Sequence, residues 1–93
     1  MARELIVEIA DWEGEVWRGP AHFVTAPTTE GSVGVLPGHE PLLAILREGE
    51  VKAEPRDSKE PLARVMVSGG FLSVDSDLVT VVADEARLIT SAG

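Results

Sequence analysis

Residues 14–61, GEVWRGPAHFVTAPTTEGSVGVLPGHEPLLAILREGEVKAEPRDSKEP, decide the fold. Proline falls at positions 20, 27, 37, 41, 55 and 61, with glycines lying mostly among them. Proline lacks a backbone donor and clashes with the preceding helical turn, so no uninterrupted segment here reaches the length of an ordinary helix, about 11–12 residues. Short apolar runs between turn signals are the pattern of β-strands. Glu15–Trp17, Ala21–Ala26, Val33–Leu36, Leu42–Leu46 and Val51–Glu54 are the predicted strands of this stretch. Arg18-Gly19-Pro20, Thr28-Thr29-Glu30-Gly31 and Pro37-Gly38-His39-Glu40-Pro41 are its predicted turns, where residues before proline are held extended and Gly38 tolerates a positive φ.

The same reading extends outward. Towards the N-terminus, Leu5–Ala10 places Leu5, Val7 and Ile9 on one face and Ile6, Glu8 and Ala10 on the other. The polar Pro55–Pro61 segment reads as a hairpin tip from which Leu62–Val67 returns, and Ser68-Gly69-Gly70 as a turn or bulge. Phe71–Val74 and Leu78–Ala83 flank a turn at Asp75-Ser76-Asp77, and Asp84–Thr90 reads as a last strand. The predicted fold is all-β: a two-sheet antiparallel β-sandwich of about ten short strands, with no or negligible helix.

Composition bounds what such a domain does. A chain of 93 residues forms one small domain with a thin core, which excludes a deep cleft between lobes. Sixteen acidic against eight basic residues give a net charge of −8, and with few aromatics and no basic cluster a nucleic-acid partner is not expected. Cysteine is absent, so disulfides, thiolate metal sites and thiol nucleophiles are excluded. No apolar run reaches the roughly 18–20 residues that cross a bilayer, and no signal-peptide pattern follows Met1-Ala2-Arg3-Glu4.

The polar clusters read as structure rather than chemistry. Asp75-Ser76-Asp77 lacks the glycine and distal glutamate of a calcium loop. Asp11, Glu13 and Glu15 flank a glycine turn and form a solvated edge rather than an acid/base pair in a cleft. Of the two imidazoles, His22 is expected half-exposed on a strand and His39 in a loop, and Ser68 has no nucleophile-elbow pattern around it. Ser68-Gly69-Gly70 lacks the lysine and helix of a phosphate loop. Trp12 and Trp17 either cover one end of the core or anchor an interface. No catalytic, cofactor-binding or metal residues are assigned.

Four blocks carry a resemblance: Glu13–Trp17, Glu30–Leu43 with its Gly-Val-Leu-Pro-Gly-His-Glu-Pro-Leu-Leu core, Val67–Val74 around Ser-Gly-Gly-Phe-Leu, and Val79–Ala86. In order and spacing, from about residue 4 to residue 88, they are similar to the epsilon subunit of the F-type ATP synthase. The resemblance implies that residues 1–93 are an epsilon-type β-sandwich domain. The family's C-terminal helical hairpin, which inhibits hydrolysis and in some members binds ATP, is absent, so no ATP binding is expected. It implies a non-catalytic central-stalk subunit that joins the gamma subunit to the c-ring, so that proton-driven rotation reaches the catalytic headpiece. It further implies residence at the cytoplasmic face of a bacterial plasma membrane, held there only through the complex. By the same resemblance Asp11, Gly38, His39 and Glu40 face gamma, and Glu30, Gly31 and Ser32 face the c-ring. The family often carries an acidic residue at the position of Ser32. The alternative reading is an unrelated soluble β-sandwich adaptor that binds proteins, which predicts exposed aromatics on a flat sheet face. A carboxylate hydrolase would require two acidic groups facing each other in a concave pocket.

Overall fold

The computed structural model describes residues 3–58 and 60–91; Lys59, in the predicted hairpin tip, lies outside the described residues. The strands are β1 (Leu5–Asp11), β2 (Gly14–Ala21), β3 (Phe23–Thr28), β4 (Gly31–Val35), β5 (Leu42–Ile45), β6 (Gly49–Glu54), β7 (Ala63–Ser68), β8 (Phe71–Asp75), β9 (Leu78–Val82) and β10 (Glu85–Ser91). There is no helix among the described residues. The first sheet has the order β2-β1-β9-β8-β5 and the second β10-β7-β6-β3-β4.

Alternation places Leu5, Val7, Ile9, Leu72, Val74, Val79 and Val81 of the first sheet against Val24, Val35, Val51, Val65 and Val67 of the second, all of them fully buried. Each such side chain contributes about 1.5–3 kcal/mol by leaving water. Valine suits the interior because its branched Cβ restricts χ1 and packs on a pleated surface. Ala26, Ala53 and Ala63, also buried, occupy second-sheet core positions with small side chains.

Three expectations need correction. The sheets are not wholly antiparallel: β1 pairs with β9 in parallel, Ile6 opposite Leu78 and Ala10 opposite Val82. Alternation reports which residues face inward but carries no information on strand direction, so this ladder is invisible locally. Arg18-Gly19-Pro20 is not a turn but the second half of β2, paired with Ile6–Glu8. Its proline is tolerated because β2 is an edge strand. His22 is not in a strand but at the bend that carries the chain from the first sheet to the second, half-buried, with its Nδ1 lacking a partner.

Two turns set the geometry of the first sheet. The β8–β9 loop has two central residues, Ser76 (φ 49°) and Asp77 (φ 64°), both in the left-handed region, as a type I′ hairpin requires. At Gly70 (φ 106°) any Cβ would run into the carbonyl oxygen of Val82, so only glycine fits. The Gly70 carbonyl in turn accepts the Leu46 amide at 2.9 Å, fixing the end of β5.

Candidate partner-binding surface

The outward face of the first sheet is unlike an ordinary solvated face. Register aligns Ile45, Phe71, Val82 and Ala10 side by side across β5, β8, β9 and β1. The next row is Leu43, Ser73, Thr80, Glu8 and Arg18, and the third places Asp75, Leu78, Ile6 and Pro20 together. Leu43 is 72% exposed, Ile45 58% and Phe71 40%, and Ile6, Leu78 and Val82 are exposed to a similar degree as Phe71. The one ion pair on this face is Glu8 with Arg18, at 3.3 Å, among the described residues. A contiguous apolar patch of this kind marks an interaction surface.

The residues expected to face gamma lie at the two ends of this sheet rather than together. Asp11 ends β1, about 20 Å along the strand from Leu5. Its carboxylate is used internally: Oδ1 accepts the Glu13 amide at 2.9 Å and Oδ2 the Ala86 amide at 3.1 Å, joining the β1–β2 turn to β10. Beside it Trp12 is 78% exposed, whereas Trp17 packs against the core, so the core-covering role falls to Trp17 and not to Trp12.

Gly38, His39 and Glu40 lie at the opposite end, in the β4–β5 loop. The Gly38 amide donates to Asp77 Oδ1 at 2.7 Å, while Arg3 donates to Asp77 Oδ2 through Nη2 at 2.7 Å and Nε at 3.0 Å. The Gly38 amide, and secondarily Arg3, holds the Asp77 carboxyl below the usual aspartate range against the opposing effect of burial. His39 itself closes a local turn, its amide donating to the Leu36 carbonyl at 3.1 Å, with Nδ1 2.6 Å from the Glu40 carbonyl.

Glu30, Gly31 and Ser32 are at the Asp11 end. They line a groove of about 340 Å³ between the open edges of β4 and β5, together with Leu43 and Ile45. The turn is rigid: Thr28 Oγ1 donates to the Gly31 carbonyl at 2.5 Å and accepts the Glu30 amide at 3.2 Å, and the Thr29 amide reaches the Ile45 carbonyl at 3.0 Å. The groove therefore continues into the apolar face at Leu43 and Ile45.

Reading the sequence for polar motifs missed that apolar face and the Asp77 contacts. The signal for the face was present: Leu5-Ile6-Val7, Phe71-Leu72, Leu78-Val79 and Val81-Val82 are apolar on both faces of their strands, where a half-solvated sheet alternates.

These features define a class, a two-sheet sandwich with an exposed apolar sheet face and polar loops at either end of it. The sequence profile of the family described as "ATP synthase, Delta/Epsilon chain, beta-sandwich domain" matches residues 4–89. The chain is 46% identical over 85 residues to the ATP synthase epsilon chain of Micrococcus luteus, covering 91% of each. It is 50% identical over 84 residues to that of Corynebacterium glutamicum, covering 89% of this chain and 66% of the relative. A chain in the cryo-EM structure of Euglena gracilis mitochondrial ATP synthase (OSCP/F1/c-ring, rotational state 1) superposes with a TM-score of 0.82 at 26% identity, over 95% of this chain and 55% of that one. The chain belongs to the ATP synthase delta/epsilon family, as its motifs implied.

Proposed function

We propose that this chain is a non-catalytic rotor subunit of an F-type ATP synthase, docking on gamma through the outward face of its first sheet and meeting the c-ring through the Glu30-Gly31-Ser32 groove. The observation that carries the gamma assignment is the continuity of Ile45, Phe71, Val82 and Ala10 across four strands. Asp11 and the Gly38-His39-Glu40 loop bound that face at opposite ends, so one broad partner spans both. Removing the exposed remainder of six apolar side chains (Ile6, Leu43, Ile45, Phe71, Leu78 and Val82) from water is worth about 5 kcal/mol before the cost of association.

The task is mechanical. Torque passes through a body whose two sheets share one close-packed core and therefore shear little. A net charge of −8 favours partners that present Arg or Lys around an apolar centre. The chain would lie peripheral to the membrane, on its cytoplasmic face, through the complex alone.

Titration of purified gamma with this chain tests the reading. Saturable binding that a His39→Ala variant weakens supports it; no binding to gamma, or to a gamma–c-ring assembly, overturns it.

A further inference from the structure

We propose that Asp77 is a positioning residue for partner docking: its carboxylate holds the Gly38 backbone, and through it His39, at the rim of the first sheet's outward face. The inference rests on the reading of the His39 loop as partner-facing and adds how that loop is held. Asp77 sits at the second central position of the β8–β9 turn, where φ 64° favours glycine or asparagine for backbone reasons alone. An aspartate there supplies an acceptor that glycine lacks. Its two oxygens join three segments distant in sequence: the N-terminal Arg3, the β8–β9 turn and the β4–β5 loop.

The geometry is that of a clasp. The Asp77 side chain is only 19% exposed, covered by the groups it binds. Its own backbone carbonyl accepts the Ile6 amide at 2.9 Å, so the turn is anchored to β1 and cannot follow the loop if the loop moves. The Arg3 guanidinium closes over Gly38, where an added Cβ would lie 3.3 Å from Nη1. Within the loop, the His39 amide and Nδ1 bond only to its own neighbours Leu36 and Glu40. Among the described residues, the Gly38–Asp77 hydrogen bond is the one that ties residues 36–40 to another segment. A loop fixed before encounter spares the ordering cost on binding.

The test separates the clasp from the turn. Asp77→Gly suits the left-handed position at least as well as aspartate and removes the acceptor; Asp77→Asn keeps the backbone preference and the acceptor for Gly38 but not the charge pairing with Arg3. In Asp77→Gly the thermal midpoint should fall by only a few degrees, the relief at the left-handed position offsetting part of the lost carboxylate contacts, Gly38 amide exchange should accelerate about tenfold, and affinity for gamma should fall about five- to tenfold. Asp77→Asn should restore most of both the protection and the affinity. Unchanged Gly38 exchange in Asp77→Gly overturns the clasp, and accelerated exchange with unchanged gamma affinity overturns its role in docking. Failure of the unaltered chain to bind gamma overturns the functional reading instead, and the docking role with it, while the exchange comparison still decides the clasp.

Discussion

The two outward faces of this sandwich are built on the same plan and have opposite chemistry. The first sheet shows solvent Ile45, Phe71 and Val82 in one row, with Leu43, Leu78 and Ile6 beside them. The second shows Lys52 paired with Arg64, and Glu50 and Arg87 on either side of Met66, with its large exposed apolar residues, Leu88 and Ile89, confined to β10. There the like charges of Lys52 and Arg64 are reconciled by Glu50, which takes both Nε and Nη2 of Arg64 in a bidentate pair. That hydrogen bond, above all, lowers the Glu50 pKa and raises that of Arg64. A five-stranded sandwich sheet needs only its inner face to fold, so the outer face is free to vary. One face here is dominated by charge and the other by exposed apolar side chains.

The largest expected effect abolishes the comparison by removing the core both faces share. Leu72→Ala should cost about 3 kcal/mol of unfolding free energy, read by denaturant titration. Replacing Leu43 and Ile45 together by aspartate should lower affinity for gamma about 100-fold while changing stability by under about 1 kcal/mol, because both side chains are already exposed. The matching change on the other face, Lys52→Glu with Arg87→Glu, should leave that affinity within about twofold. Equal losses from the two pairs would erase the distinction.

Asp11→Ala should cost about 1.5 kcal/mol of stability, because it deprives the Glu13 and Ala86 amides of their acceptor. Affinity for gamma, compared at fixed folded concentration, should fall only slightly, because Asp11 stands at the rim of the docking face and its carboxylate already serves those two amides. At the other end, acidification should weaken the hold on the His39 loop without abolishing it. Because the folded-state pKa of Asp77 is depressed, its contribution is complete above the ordinary aspartate value near about 4 and is lost as pH falls through the lowered one. Gly38 exchange, corrected for intrinsic rate, should rise modestly below about pH 4 in the unaltered chain, to the level of Asp77→Asn because the neutral carboxyl keeps an acceptor oxygen, and be high at every pH in Asp77→Gly. The smallest effect is expected at Glu50→Gln, a partly solvated surface pair, where the denaturation midpoint should move little and gamma binding not at all.

The fold was legible where proline and glycine punctuate and side chains alternate. Leu5–Asp11, Phe71–Asp75 and Leu78–Val82 appear within a residue of their predicted bounds, because inward Leu5, Val7, Leu72 and Val79 leave one register that buries them. The turn at Asp75-Ser76-Asp77 was legible from residue type alone. The parallel β1–β9 ladder was not, because pairing between residues some 70 apart leaves no local trace. Pro20 misled because a proline in an edge strand and one in a turn look alike without the sheet. At the surface, the Gly38-His39-Glu40 loop and the Glu30 turn were legible as motifs. That they stand at opposite ends of one apolar face follows from cross-strand register, which single-strand patterns do not contain.

The most direct test is a methyl footprint of gamma on the isotopically labelled chain. The account predicts that the methyl signals of Ile6, Leu43, Ile45, Leu78 and Val82 shift or broaden on complex formation, while that of Met66 on the second sheet stays in place. Perturbation centred on Met66, with the first-sheet methyls unmoved, would contradict it.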